Sequence, residues 1–283
     1  MPVIRHRFVN VDGLNVFVRE AGDASKPTLV LLPGYPSSTA AYARLMDRLA
    51  GDWHAVAIDY PGFGPSDPLP GDPTFDKLAE VTGKTIDALG IGDYAVYMFD
   101  FGAPVGFRIA LEHNQRVRAI ITQNGNAYTD GFGPGVAALA DWWQDKAAGQ
   151  AAVDGFVSLD GTRLQWLAGA REAEHINPEQ AVADQAVIDL PGRAEYMKAL
   201  LWDYQNNPPL YPVWQAWLRE RQPALLAIWG KNDPFFIPAG AEAYARDVTD
   251  AEVVLLDTGH FALEEEVDEI AERTGDLLRK AFA

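Results

Sequence analysis

The sequence predicts an α/β protein with a mostly parallel central sheet, helices on both faces and an inserted helical cap. Three observations indicate this class. Short apolar runs alternate with longer amphipathic stretches over residues 15–124, a pattern typical of parallel strands connected by helices. Residues 126–215 then show helical spacing, many aromatic side chains and no convincing strand. The first pattern resumes after residue 216, so the helical segment interrupts one core.

Each element is predicted from its local pattern. Apolar runs predict strands at 15–20, 27–32, 54–59, 93–99, 117–124, 224–229 and 252–256. Helical spacing predicts core helices at 38–50, 74–90, 102–114, 238–248 and about 264–281, with Thr74 as one N-cap. The domain organisation that follows is an α/β core of residues 1–125 and 216–283, with residues 126–215 as the cap.

Composition excludes several classes of function. The 283 residues include no cysteine, which excludes disulfides, thiolate metal sites and a cysteine nucleophile. A formal net charge of −17 at pH 7 disfavours binding to nucleic acid or to anionic membranes. No apolar run reaches the roughly 18 residues of a membrane span, and the N-terminus lacks a secretory apolar segment. We therefore expect a cytoplasmic protein whose partner is a small apolar substrate, with a homodimer left open.

The most informative segment is the junction around Asp100. An apolar run at 93–99 leads directly into this carboxylate and then into small residues that begin a helix. In the nucleophile elbow, G-x-S-x-G, such a turn exposes the nucleophile above the sheet. Asp100 takes the nucleophile position here, Gly102 takes the second glycine position and Met98 takes the first. The alternative is that Asp100 only caps the following helix.

Two later strand ends supply the partners that a nucleophile needs. Asp233 follows the predicted strand at 224–229, and His260 follows the one at 252–256. Ligands of open α/β sheets bind at the carboxyl ends of the strands. An acid beside the histidine fixes its tautomer and stabilises its cation, and we assign this role to Asp233. Asp257 is the weaker candidate because it lies too close to His260 along the chain to face it easily.

This order of nucleophile, acid and histidine resembles the α/β-hydrolase superfamily, in its aspartate-nucleophile branch of epoxide hydrolases and haloalkane dehalogenases. Leu-Pro-Gly-Tyr-Pro at 32–36 looks like the H-G-x-P loop of that family, with Pro33 in place of its histidine. Asp-Tyr-Pro-Gly-Phe-Gly-Pro-Ser at 59–66 looks like its G-x-G-x-S loop. The loop at 123–127, where some members carry the acid, has no carboxylate, which favours Asp233. The resemblance implies an α/β-hydrolase fold over nearly the whole chain.

The resemblance also implies a mechanism that needs no metal or organic cofactor. The backbone N–H groups of Tyr35 and Phe101 would form the oxyanion hole. Asp100 would attack a saturated carbon to form an ester, and His260, oriented by Asp233, would activate the water that hydrolyses it.

The cap residues would bind the leaving group. Tyr204 lies in Asp-Tyr-Gln-Asn-Asn at 203–207 and matches the cap tyrosine with which epoxide hydrolases hydrogen-bond and protonate the epoxide oxygen. We expect Tyr204 and Tyr211 to contact substrate; the alternative is that both only pack between cap and core. Trp142 and Trp143 either offer an indole N–H to substrate or simply bury apolar area under the cap.

An epoxide is favoured over a halide as the reacting group. The residue after the nucleophile is Phe101, whereas haloalkane dehalogenases usually have tryptophan there and fluoroacetate dehalogenases have arginine. The resemblance therefore implies an epoxide hydrolase that opens an apolar epoxide, aromatic and polycyclic ones included, to a vicinal diol. A haloalkane or haloacid dehalogenase with the same triad is the alternative. A non-catalytic ligand-binding protein on this scaffold is the second alternative.

Overall fold

A single eight-stranded sheet forms the centre of the computed structural model, which describes residues 4–283. The strands are Arg5–Val11 (β1), Leu14–Ala21 (β2), Thr28–Leu32 (β3), His54–Ile58 (β4), Tyr94–Phe99 (β5), Val117–Gln123 (β6), Ala224–Gly230 (β7) and Glu252–Leu256 (β8). Their order across the sheet is β1-β2-β4-β3-β5-β6-β7-β8, and β3 to β8 run parallel. The structure confirms the predicted α/β class with a mostly parallel sheet.

Helices cover both faces of this sheet. In chain order they are Ala43–Leu49 (α1), Phe75–Ala88 (α2), Gly102–His113 (α3), Ala137–Gln144 (α4), Lys146–Phe156 (α5), Leu159–Leu167 (α6), Pro178–Ile188 (α7), Arg193–Asp203 (α8), Tyr211–Arg221 (α9), Pro238–Ala243 (α10) and Ala262–Ala281 (α11). Helices α2 and α3 contribute to one buried apolar cluster, and α1 and α11 to the other. Among residues 4–283, no helix is long and apolar enough to cross a membrane.

The first two strands differ from the prediction. β1 was not predicted, because nearly all of its side chains are exposed and it carries no apolar run. It forms a hairpin with β2 through Asp12 and Gly13, both with positive φ, and Asp-Gly is a strong signal for such a turn. The hairpin reverses the chain, so β2 is antiparallel to β4, where the alternating pattern from residue 15 predicted a parallel strand.

The segment between β6 and β7 is helical, as predicted. It contains α4 to α8, and no strand of the described structure falls within residues 126–215. α9 begins in this segment and continues beyond it, so the predicted boundary at 215/216 lies inside a helix. Trp214 of α9 stacks on Phe107 of α3, with ring centroids 5.2 Å apart.

The sheet order determines where the site forms. β5, β6, β7 and β8 are consecutive neighbours and all run parallel, so their carboxyl ends lie at one edge. Asp100 follows β5, Asp233 follows β7 and His260 follows β8. Residues far apart in the sequence therefore meet above one edge of the sheet.

Candidate active site

The turn between β5 and α3 has the geometry of a nucleophile elbow. Asp100 adopts φ +50°, a left-handed conformation that costs a non-glycine residue on the order of 1 kcal/mol or more. A Cβ atom on Gly102 would collide with the backbone oxygen of Leu32, so only glycine fits there. The N-cap of α3 is Phe101, without a side-chain capping bond. Strain at a buried carboxylate is typical of a functional position.

The structure explains how Met98 replaces the first glycine of the elbow. A Cβ atom on Gly106, inside α3, would collide with the side chain of Met98. Gly106 therefore provides the space that the larger side chain needs. The departure from the motif is compensated by a second residue, and the elbow keeps its shape.

The backbone N–H of Tyr35 contacts the side chain of Asp100. It donates to Oδ1 of Asp100 at 2.6 Å, and the N–H of Phe101 also bonds this carboxylate. The two N–H groups named in the sequence analysis therefore converge on one side chain. Oδ1 is held by the Tyr35 N–H, whereas Oδ2 faces His260.

Two buried tyrosines hold the loop in which Pro33 replaces the family's histidine. The hydroxyl of Tyr42 donates to the carbonyl of Leu32 at 2.7 Å, and that of Tyr60 donates to the carbonyl of Pro33 at 2.9 Å. Both tyrosines are fully buried. Side chains from elsewhere in the core thus stabilise the loop that presents the Tyr35 N–H.

His260 lies between the two carboxylates. Its Nδ1 is 2.7 Å from Oδ2 of Asp233, and its Nε2 is 3.9 Å from Oδ2 of Asp100. Burial alone would lower the pKa of His260, but the two carboxylates outweigh it and raise the pKa above its ordinary value. Burial raises the pKa of Asp100 to about 6, although His260 and the N–H donors oppose this shift. Asp100 is therefore mostly ionised at neutral pH.

Asp233 has two further donors, one of which the sequence did not indicate. Asn124 donates its amide to Oδ2 at 2.7 Å, and the N–H of Phe235 donates to Oδ1 at 2.7 Å. Asn124 follows β6 with φ +44°, a conformation that asparagine tolerates better than most residues. Its own oxygen accepts the N–H of Gly230 at 3.0 Å. The only sequence signal for this contact is that Asn124 is a polar residue directly after β6.

Asp257, the weaker candidate acid, makes different contacts. It accepts a hydrogen bond from Asn232 at 3.0 Å and pairs with Lys231 at 3.2 Å. These bonds lower its pKa, and about half of its side chain is exposed. The structure therefore brings Asp233, rather than Asp257, to His260.

A small apolar cavity lies over the side chains of Asp100, Asp233 and His260. Its walls are mostly aromatic and aliphatic. The sequence predicted fewer than half of the lining residues, because helix faces in the cap carry no motif. The lining residues are Tyr35, Asp100, Phe101, Val136, Leu139, Phe156, Gln165, Leu201, Tyr204, Phe235, Phe236 and His260.

Tyr204 lines this cavity, whereas Tyr211 does not. The Tyr204 ring packs against Phe101 with centroids 5.7 Å apart. Its hydroxyl is buried without a hydrogen bond of good geometry among the described residues, and the hydroxyl of Tyr211 lies close enough to interact with it. Burial raises the pKa of Tyr204 well above its ordinary value, so the phenol is neutral. The Tyr211 hydroxyl is also buried, and the Tyr211 ring stacks on Phe132.

The two tryptophans lie behind the cavity wall. Trp143 donates its indole N–H to the carbonyl of Leu201 at 2.9 Å, and its ring stacks on Tyr204 at 6.0 Å. Trp142 packs edge-on against Trp202 at 5.0 Å. Neither indole is part of the cavity lining. The structure brings Trp143 to Tyr204 as a supporting ring and places Trp142 in the apolar interior of the cap.

Comparison with known proteins gives the family. The family model described as alpha/beta hydrolase fold matches residues 27–267. The chain belongs to this family and is a hydrolase of the α/β fold.

Individual relatives carry several names. An uncharacterized hydrolase of Saccharomyces cerevisiae is 40% identical over 277 residues, which cover 94% of each chain. Haloalkane dehalogenase 2 of Mycobacterium tuberculosis is 31% identical over 103 residues, 36% of each chain. The solved structure of the epoxide hydrolase CorEH covers 98% of this chain and 99% of its own, with a TM-score of 0.80 and 19% identity. This last likeness shows the fold alone.

Proposed function

We propose that the protein is an epoxide hydrolase that acts through a covalent ester on Asp100. The observation that supports this most strongly is that the two oxygens of that carboxylate have different partners. Oδ1 accepts the N–H of Tyr35, and Oδ2 faces His260. This arrangement supports Oδ1 as the carbonyl oxygen of an ester and Oδ2 as the attacking atom.

The first half-reaction forms the ester. Oδ2 of Asp100 attacks an epoxide carbon, and the bond between that carbon and the ring oxygen breaks. Tyr204 transfers its hydroxyl proton to the ring oxygen as it becomes a free hydroxyl. The buried phenol supports this step because it is neutral and lines the cavity.

The second half-reaction releases the diol. His260, held by Asp233, takes a proton from water, and the oxygen of that water attacks the Cγ atom of Asp100. The N–H groups of Tyr35 and Phe101 stabilise the negative charge that forms on Oδ1. The ester bond then breaks, and the histidinium protonates the departing alkoxide. The carboxylic acid left on Asp100 then loses its proton to solvent. Solvent in turn returns a proton to the Tyr204 phenolate, which restores its hydroxyl.

The cavity favours a small apolar epoxide. Its small size and its aromatic walls suit a small apolar substituent. Polycyclic epoxides, which the sequence left open, fit this narrow space less well.

A dehalogenase is the second candidate, because a haloalkane dehalogenase aligns with part of the chain. The site offers little to a departing halide. The indole N–H of Trp143 is engaged by Leu201, and Phe101 has no donor in its side chain. A haloacid would need a cation for its carboxylate, and the described residues that line the cavity include no lysine or arginine. These features favour an epoxide over a halide as the reacting group.

The experiment uses a His260→Gln variant, because blocked ester hydrolysis traps the intermediate. The variant is incubated with panels of epoxides and haloalkanes, and its intact mass is measured. We expect a gain equal to a whole epoxide, mapped by peptide analysis to Asp100. A gain equal to an alkyl group that has lost its halide would instead show that the substrate is a haloalkane. No adduct in either panel would favour a ligand-binding protein.

Two controls complete the experiment. His175→Gln changes an exposed histidine of the cap and should retain turnover without accumulating an adduct. The double variant His260→Gln with Asp100→Asn should show no added mass.

A further inference from the structure

The cavity contains one polar side chain that the proposed reaction does not use. Gln165 lies on α6 and is 4% exposed, and it lines the same space as Asp100 and Tyr204. The other polar side chains of the lining are the catalytic groups and the hydroxyl of Tyr35. An uncharged amide in an otherwise apolar wall is a candidate for substrate recognition.

The hydrogen bonds of Gln165 fix its orientation. Its Nε2 donates to the carbonyl of Gly161 at 3.2 Å and lies 3.5 Å from that of Phe156. Both partners are acceptors, so the amide nitrogen must face them. The amide oxygen, Oε1, has no donor among the described residues. It is therefore an available acceptor on a side chain that lines the cavity.

Gln165 and Tyr204 line one cavity but have different neighbours. The carbonyl of Phe156, beside Gln165, also accepts the hydroxyl of Tyr35 at 3.3 Å, and the Phe156 ring packs against Phe235. Tyr204 instead has Trp143 stacked on its ring. Because the two side chains share the cavity, one substrate can meet both of them.

We propose that Gln165 is a specificity-determining residue whose amide oxygen accepts a hydrogen bond from a hydroxyl group of the substrate. This inference rests on the proposed epoxide hydrolase function and names the substrate class as epoxides that carry a hydroxyl away from the ring. A substrate carboxylate could not form a hydrogen bond with Oε1, because both groups are acceptors. An ammonium group would lose its hydration in an apolar cavity at high cost. A neutral hydroxyl supplies the missing donor without either penalty.

The test compares substrates that differ only in that hydroxyl. Terminal epoxides with a hydroxyl at the far end of the alkyl chain are paired with epoxides that have methyl in its place, over a series of chain lengths. For the wild-type enzyme we expect kcat/KM to favour the hydroxylated member by about tenfold, the effect of one hydrogen bond. The preference should peak at one chain length, because Gln165 lies at a fixed position relative to Asp100.

A Gln165→Met variant separates recognition from structural support. It keeps the length of the side chain but removes the amide oxygen, so the ratio within each pair should fall to about one. A structural role would lower both rates together. Gln150→Met, at an exposed cap glutamine bonded to Asp154, is the matched control and should leave the ratio unchanged.

Binding to the Asp100→Asn variant distinguishes the two proposals. The same pairs are titrated by calorimetry, which needs no chemistry. Turnover without a preference at any chain length would overturn the role of Gln165 and leave the epoxide hydrolase intact. A binding preference without turnover by the wild-type enzyme would overturn the function and retain the hydroxyl site. Neither binding nor turnover would overturn both.

Discussion

The histidine and acid of the core differ from two polar side chains of the cap in their hydrogen bonds. In the core, His260 is bonded to Asp233, and Asp233 receives further bonds from Asn124 and the N–H of Phe235. In the cap, the amide oxygen of Gln165 accepts no hydrogen bond from the described residues, and the hydroxyl of Tyr204 has that of Tyr211 beside it without a bond of good geometry. The proposed catalytic groups are therefore held by their neighbours in the fold, whereas these two cap side chains keep polar atoms for a ligand.

The largest effect is expected in the core. Asp233→Asn should lower kcat by about 10³–10⁴, because the amide no longer holds the correct tautomer of His260 or stabilises its cation. Steady-state kinetics with a terminal epoxide measures the loss. The matched control is Asp257→Asn, which changes a half-exposed carboxylate bonded to Asn232 and should stay near the wild-type rate. Equal losses in the two variants would contradict the assignment of the acid.

In the cap, Tyr204→Phe should lower kcat/KM for epoxides by about 10²–10³, since the ring oxygen then leaves without a proton donor. Tyr211→Phe is the comparison variant, because the Tyr211 hydroxyl interacts with that of Tyr204 but does not line the cavity, and its effect should stay within about tenfold, the effect of one hydrogen bond. If Tyr204→Phe retained full activity, the proton source would have to be another group.

The pH dependence separates the two half-reactions. Because the pKa of Asp100 is raised to about 6, the fraction ionised falls below that pH, and ester formation should drop about tenfold between pH 7 and pH 5. Ester hydrolysis needs neutral His260, and in the uncharged ester only Asp233 still opposes the lowering of the His260 pKa by burial, so that step should weaken with falling pH at a midpoint of its own. Rapid mixing with mass detection measures both steps. One shared midpoint would contradict the separate assignments.

The smallest effect concerns the ring behind Tyr204. Trp143→Phe removes the N–H that bonds the Leu201 carbonyl and should lower the free energy of unfolding by about 1 kcal/mol. Chemical denaturation measures this change. Turnover should remain within a few fold of wild type, because the indole lies outside the cavity lining. A loss as large as that of Tyr204→Phe would instead show that Trp143 contacts the substrate.

The sequence was most informative about the candidate site residues that directly follow a strand. The apolar runs before Asp100, Asp233 and His260 are local signals, and parallel pairing brings their ends together without any knowledge of side-chain contacts. β1 was missed because an exposed edge strand has no apolar run. The sequence signal for this strand is the Asp-Gly turn at residues 12 and 13, which joins it to β2.

Contacts between distant segments could not be predicted. Gly106 makes room for Met98, and Tyr60 holds the carbonyl of Pro33; each pairing depends on the folded core. In the cap, adjacent residues on a helix point about 100° apart, so the sequence does not say which of Trp142 and Trp143 faces inward. The structure places both outside the lining.

The most direct test of the account follows the oxygen of water. A single turnover of excess wild-type enzyme in oxygen-18 water, with a terminal epoxide, is analysed by the mass of the diol and of the peptide that contains Asp100. The covalent mechanism predicts an unlabelled diol and one heavy oxygen in the Asp100 carboxylate, because water attacks the ester at Cγ and the diol receives its oxygen from Asp100. A labelled diol with an unlabelled Asp100 would mean direct attack of water on the epoxide and would contradict the covalent mechanism.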